Sequence, residues 1–506
     1  MIAIDIRAAL NEPGNVDRPW LIAPETGHQL SYDRLRALAT RLDVWFHDQG
    51  IGPGAIVAML LPNGLTASAL FIATMATGRV IAPLSLLAQP SQLAFVLDHC
   101  DPAMVFTTAD RAGSLRVTLN GQRAGRVRVV DPDTLVGGPW GELTDAGNGF
   151  CSPPPRSDDD ALLMYTSGTT GSPKGVPLTH GNLLHSAAAV ARWHDLGPRD
   201  RVLSALPLYH INGQVIGTLT PLLSHGSLVA PRRFSVSGWW QAAMDHRCTW
   251  LNMVPTIIAY LLNEASGAPN ALPAIRFGRS ASAPLPPDQQ RAFEQRFGIP
   301  IIEAMGMTES ASVVFCNPMA LERRRIGSPG LPIGVEVKVV DDRGRTLGAS
   351  RTGEIWLRGP TVMRGYFRDP ERTAEALTAD GWLRSGDLGH LDADGYAFIT
   401  GRLKELIIKG GENIAPREID EALLRHPDVL EAAAVGIPHP AYGQDILAAV
   451  VPKAGVQPSL DDLRAFCERE LGRYKTPARF VFLTALPKGP SGKVQRLKLL
   501  DDLAPD

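Results

Sequence analysis

The chain has 506 residues, 44% apolar and 20% charged, with a formal net charge of -2. That length exceeds one ordinary core and predicts two to four domains, while the even charge balance argues against a nucleic-acid partner. Five scattered cysteines, Cys100, Cys151, Cys248, Cys316 and Cys467, lack any CxxC spacing, which argues against a disulfide frame or zinc site and for reduced thiols in the cytoplasm.

In chain order, Ser31 is placed to cap a helix through about Gln49, with Leu35, Leu38, Leu42, Trp45 and Phe46 on one stripe and Gly50 behind it. The strand-like 55-AIVAMLL-61 follows, then a helix from Asn63 to Thr77. Its window 65-LTASALFIATMATG-78 is the most apolar of the chain. It falls short of the roughly 20 residues a spanning helix needs, so it reads as buried, with no transmembrane segment. Further strands are predicted at 79–83, 103–108, 161–166, 201–207, 249–254 and 275–278. Short, continuously apolar runs alternating with helices predict an α/β fold of mostly parallel sheets with flanking helices.

The texture changes near residue 330. The segments 334-GVEVKVV-340, 353-GEIWLRG-359 and 396-YAFIT-400, with turns at 341–344 and 392–395, predict antiparallel hairpins or a small barrel over about 330–400. It changes again near Lys404. There Pro416 opens a helix, strands follow at 429–436 and 446–452, and Ser459 starts a helix to Leu471 that Gly472 stops. The expected division is a large domain over 1–403 and a small, mobile α+β lid over 404–506.

One stretch carries chemistry of its own: 165-YTSGTTGSPKGVPLTH-180. It follows a strand and precedes a helix that Thr179 is placed to cap. Glycines let main-chain N–H groups approach a ligand, hydroxyls add donors, and Lys174 adds charge, which suits a phosphate cradle. The glycine offsets differ from those of the common triphosphate loop.

This stretch does not stand alone. The motifs 206-LPLYHINGQ-214, 282-SAPL-285, 303-EAMGMTES-310, 353-GEIWLRGPTVMRGY-366, 382-WLRSGDLG-389, 401-GRLKELIIKGGENIAPREID-420 and 486-LPKGPSGKVQR-496 follow it in order. Together they resemble the adenylate-forming superfamily of acyl-CoA synthetases. The resemblance implies a ligase that joins a carboxylic acid to ATP as an acyl-adenylate and passes the acyl group to coenzyme A, using Mg²⁺. A stand-alone adenylating enzyme that loads a carrier protein or forms an amide shares these motifs and stays open.

Carried over residue by residue, the resemblance implies nucleotide contacts from Thr166, Ser167, Gly168, Thr169, Thr170, Gly171, Lys174, Ala283, Met305, Asp387 and Arg402. Thr308 and Glu309 would lie at the phosphates, Glu309 holding Mg²⁺; alone, Glu309 would read as a solvated loop acid. Met305 stands where the family usually has a Tyr that stacks on adenine, and a looser grip on the nucleotide is expected. Lys493 would come in from the lid to the reacting carboxylate and α-phosphate. The chemistry asks for such a group: two anions at contact repel by about 4 kcal/mol at an effective dielectric near 20. Lys404 would be the hinge, Gly410 and Gly411 the thiol tunnel, and His210 a gate beside the acyl pocket. Gly278, Arg279 and Val313 would line that pocket. Arg279 has two readings, a partner for a second carboxylate on the substrate or one half of a structural ion pair. A small or medium acid, aliphatic or dicarboxylic, is expected.

Overall fold

The computed structural model describes residues 3–12, 18–135, 149–166, 173–264, 275–488 and 494–502. The capped helix runs Tyr32–Asp48. The Ser31 side chain accepts from the Arg34 N–H, and Leu35, Leu38, Leu42 and Phe46 are fully buried. Trp45 is half-buried at the edge of the stripe. The apolar window forms helix Leu65–Ala76, in which every residue is buried. It packs against helix Tyr32–Asp48 and touches strands of two different sheets, Val80–Pro83 and Pro19–Ile22, so its apolar character on all sides follows from neighbours on all sides. Among the described residues, no helix is long and apolar enough to cross a membrane.

Among the described residues, the first of these sheets has six strands, in the order Val127–Val129, Met104–Thr107, Ile56–Leu60, Val80–Pro83, Asp160–Thr166 and Lys174–Thr179. All its pairings are parallel except the last. The second has nine, ordered Leu331–Pro332, Ser312–Cys316, Ile301–Met307, Phe277–Ser280, Trp250–Met253, Arg201–Ser204, Ser227–Val229, Pro19–Ile22 and Gln29–Ser31. Its inner pairings are parallel and those at both edges antiparallel. The α/β class expected from alternation is therefore present, with antiparallel edges that alternation does not reveal.

One local expectation is corrected here. The helix capped by Thr179 exists, as His180–Trp193, with a reciprocal bond between Thr179 and Asn182. A strand, Lys174–Thr179, precedes it and pairs antiparallel with Asp160–Thr166. Lys174 therefore sits on a hairpin strand and not in a loop leading straight to a helix.

Strands Glu336–Val340, Gly353–Arg358, Leu383–Leu391 and Ala397–Arg402 pair in sequence order as an antiparallel meander. Among the described residues its first and last strands do not pair, so of the two expected forms the hairpins are present, as an open sheet, and the closed barrel is not. Beyond residue 404, strand Gly443–Pro452 lies between Val429–His439, antiparallel, and Arg479–Phe482, parallel. Pro416 opens helix Pro416–Leu424. Ser459 caps helix Leu460–Leu471, and Gly472, with φ at 76°, follows it. Ile407, Ile419, Leu423, Ala448, Val450 and Leu463 form a core of their own there.

Candidate active site

A cleft of about 1050 Å³ opens where the parallel strands end. Residues just past Val80–Pro83, Arg201–Ser204, Trp250–Met253 and Phe277–Ser280 line it, as do Met307, Thr308 and Glu309. The carboxyl ends of parallel strands are where open α/β sheets bind ligands, because neighbouring loops diverge there. The meander adds Ser385, Gly386 and Arg402 to the wall, and the C-terminal unit adds Lys404, Glu405 and Lys488.

One end of the cleft is charged. Thr166 and Lys174 reach it from the two strands of the hairpin. Thr308 and Glu309 reach it from a single 3-10 turn after strand Ile301–Met307. The turn closes with Ala311 and Ser312 at positive φ, which swings the chain back into the antiparallel edge. The Tyr366 hydroxyl donates to Glu309 Oε1 at 3.0 Å, and Lys174 Nζ lies 4.6 Å from the Tyr366 ring centroid. Partial burial holds the Lys174 ammonium below its usual pKa, and the nearby charges of Lys404 and Arg372 add to this. Arg402 Nε lies 2.9 Å from Asp387 Oδ1, and that carboxylate, outweighing burial, raises the guanidinium's pKa. Asp387 itself sits buried behind Arg402, with Oδ2 unpartnered among the described residues.

The other end is narrower in chemistry. A π-helix, Asn212–Leu219, begins beside the cleft; such wide turns occur mostly as local features at functional sites. Gly213 lets it pass the preceding turn, since a Cβ there would lie 2.5 Å from the Pro207 carbonyl oxygen. His210, Asn212, Arg279 and Ser282 all line this end. The Asn212 amide donates to Ser282 Oγ at 3.2 Å, and Arg279 Nη1 approaches Asn212 Oδ1 at 3.5 Å. Arg279 is only 1% exposed, and its Nε has no hydrogen-bond partner. Among the described residues no carboxylate pairs with it, so the structural ion pair is not formed. Burial lowers its pKa, yet a guanidinium keeps its proton in proteins.

Beneath the loop at 282–285 lies Glu303, 4% exposed, which accepts from the Leu285 N–H at 3.3 Å. Burial pushes its pKa up to about 7, against the opposing pull of Arg417.

Of the residues singled out from sequence, the cleft gathers Thr166, Lys174, His210, Arg279, Thr308, Glu309, Arg402 and Lys404. Others sit just off its wall. Ala283 is exposed beyond Ser282. Met305 is half-buried against the main core, one residue before Gly306, which does line the cleft. Gly278 packs under Met253 and Ile301 inside the sheet, and Val313 is buried next to the lining residue Ser312. Gly410 and Gly411 form the exposed tip of the hairpin Ile407–Lys409 with Glu412–Ile414 and do not line the cleft. Ser167, Gly168, Thr169, Thr170, Gly171 and Lys493 lie outside the described residues. Sequence reading missed Tyr366, Glu405 and Lys488 as site residues. Each falls within or beside a quoted motif, but the motif gives no sign of which way it faces.

Among the described residues no cluster of three or more His, Cys, Asp or Glu could hold a metal. Mg²⁺ often takes only one or two carboxylates and completes its shell with substrate phosphates and water. Glu309 on the cleft wall is sufficient for that, so the residues fit a phosphate-borne Mg²⁺.

Comparison with known proteins agrees with this geometry. Residues 9–367 match the AMP-binding enzyme family and residues 418–493 match the AMP-binding enzyme C-terminal domain. The chain is 54% identical over 488 residues to a sulfoacetate–CoA ligase of Cupriavidus necator, covering 96% of this chain and 95% of the relative. It is 35% identical to an oxalate–CoA ligase of Arabidopsis thaliana, covering 93% and 92%. Among solved structures it resembles ATP-bound MatB from Rhodopseudomonas palustris, with a TM-score of 0.89, 30% identity and 99% coverage of both chains. The chain belongs to the AMP-binding enzyme family. It is an ATP-dependent acid–thiol ligase that forms an acyl-adenylate from a carboxylic acid and ATP and transfers the acyl group to coenzyme A, releasing AMP and pyrophosphate, with Mg²⁺ as cofactor.

Proposed function

We propose that the acid is short and carries a second anionic group, a sulfonate or a carboxylate, that pairs with Arg279. The observation that carries this reading is a guanidinium 1% exposed, on the cleft wall, with no carboxylate partner among the described residues. A buried charge is costly until paired, and a doubly charged substrate supplies the missing partner. Relatives named for sulfoacetate and oxalate, both small dianions, support the same class.

The roles of the remaining residues follow from charge. The acid's carboxylate is already ionised at neutral pH and needs no base. Lys174, with residues 167–172, holds the phosphates. Glu309 and Thr308 hold Mg²⁺, which when bound offsets negative charge on the phosphate oxygens. Asp387 and Arg402 take the ribose and α-phosphate side, with Ala283 and Met305 behind the base. Lys493 approaches the attacking carboxylate. Gly278 and Val313 set the depth of the acyl end, and His210 stands between it and the thiol path.

The domain boundary falls at residues 403 and 404, with Lys404 as the hinge. In the arrangement described, Lys404 and Lys488 line the cleft while Gly410 and Gly411 do not. That supports a first arrangement for adenylation and a second, after rotation, in which the glycine pair forms the thiol tunnel. Consumption of ATP and coenzyme A, and five cysteines without a disulfide, support action in the cytoplasm.

The test is pyrophosphate release across a panel of acids. Sulfoacetate, oxalate and malonate are expected to exceed acetate and propionate by at least about tenfold in kcat/KM, which is about 1.4 kcal/mol. Equal rates for mono- and dianions would refute the reading.

A further inference from the structure

The segment 363–367 crosses between two parts of the charged end that are distant in sequence. The Met363 N–H donates to the Glu309 carbonyl at 2.8 Å, and the Phe367 N–H donates to the Gly175 carbonyl at 2.8 Å. Between these two anchors sits Tyr366, half-buried. Its hydroxyl donates to the Glu309 carboxylate, and its ring lies against the Lys174 ammonium. Its own backbone is pinned as well, the Tyr366 N–H donating to Thr373 Oγ1 at 2.8 Å. Gly365 permits that approach, because a Cβ there would lie 2.7 Å from Thr373 Cγ2.

The arrangement does two things at once. A carboxylate held through one oxygen presents the other in a fixed direction, and an ammonium held on a ring face keeps its remaining N–H donors on the side away from the ring. The ring also stands beside a cation and an anion that attract each other, and no ion pair joins Lys174 to Glu309 among the described residues. If the two collapsed onto one another, they would fill the space that phosphates and metal must enter. A tyrosine phenol keeps its proton at neutral pH, so the hydroxyl remains a donor.

We infer that Tyr366 is a positioning residue for adenylate formation, its hydroxyl fixing Glu309 and its ring fixing and spacing Lys174. This rests on the roles given to Glu309 and Lys174 above.

The experiment uses the full chain and acid-dependent exchange of labelled pyrophosphate into ATP, with free Mg²⁺ varied. Tyr366→Phe keeps the ring and loses the hydroxyl. It should raise the Mg²⁺ concentration for half-maximal exchange about fivefold and leave the KM for ATP at saturating Mg²⁺ within about twofold. Tyr366→Leu loses both contacts, so it should show the same Mg²⁺ shift and also raise that KM about fivefold. Calorimetry gives a readout apart from turnover: Tyr366→Phe should weaken ATP binding at subsaturating Mg²⁺ and leave metal-free ATP binding unchanged.

In a Glu309→Gln background, Tyr366→Phe should add less than about a twofold loss, because partners in one contact are not additive. Fully additive losses, or wild-type Mg²⁺ dependence in Tyr366→Phe, would overturn the inference while leaving the role of Glu309 intact. Undiminished exchange in Glu309→Gln alone would overturn that role, and the inference with it.

Discussion

The two ends of the cleft are built by different means. The charged end takes its groups from short contiguous stretches at turns and strand ends: Thr166 and Lys174 flank one hairpin, and Thr308 and Glu309 share one turn. Lys174, Glu309 and Arg402 there are half-exposed, and Arg402 is matched by the buried Asp387. The other end, proposed to take the acyl group, holds a fully buried cation, Arg279, on an inner strand, met by Asn212 from a π-helix 67 residues earlier. The contrast teaches where shared and particular chemistry reside. Handling a triphosphate asks the same of every substrate and suits a local, repeatable motif. On the function proposed above, choosing an acid would rest on Arg279, whose meaning depends on what the surrounding fold leaves without a carboxylate partner.

The sharpest test of this contrast is Glu309→Gln. Pyrophosphate exchange should fall about 10³-fold, close to 4 kcal/mol, for mono- and dianionic acids alike. A loss confined to dianions would erase the distinction between the ends.

Glu303→Gln comes next and reads stability. The folded-state pKa of about 7 lies above the ordinary glutamate value of 4.5, so the folded chain binds the proton more tightly than the unfolded one. That stabilising contribution is complete below about pH 4.5 and is lost as pH rises through 7, a span of on the order of 3 kcal/mol. Chemical unfolding between pH 5 and 8 should show this slope in the parent and a flatter one in the variant.

Arg279→Leu should then lower kcat/KM about a hundredfold, near 2.7 kcal/mol, for sulfoacetate or oxalate and leave acetate within about threefold. An equal loss for all acids would make Arg279 a structural residue.

The smallest effect is expected from Met305→Tyr. Met305 packs against the core beside the cleft, so the KM for ATP should fall less than about threefold, under 0.7 kcal/mol.

Much of the charged end was legible in the sequence because its residues travel in short runs, Thr308 and Glu309 on a single turn. The helix Tyr32–Asp48 was legible for the same kind of reason: a cap, a stripe and a terminal glycine all lie within one stretch. The strand Lys174–Thr179 was not, because Gly175 and Pro177 read as turn formers. It lies at the edge of its sheet, where proline is tolerated. Arg279 could be named as a pocket residue, but its lack of a carboxylate partner is a property of the packed fold and not of residues 276–285. Tyr366 ended a recognised motif, yet its partners Glu309 and Lys174 lie 57 and 192 positions away, beyond the reach of any local pattern.

The strap 363–367 also constrains how this chain can change length. Two main-chain bonds fasten it, one to the Glu309 turn and one to the Gly175 strand, so its five residues act as a ruler between them. A single inserted residue would slip one fastening and displace the ring that spaces the carboxylate from the ammonium. The turn at 341–344 bears no such load, so relatives that have gained or lost residues should have done so there and left the ruler uncut.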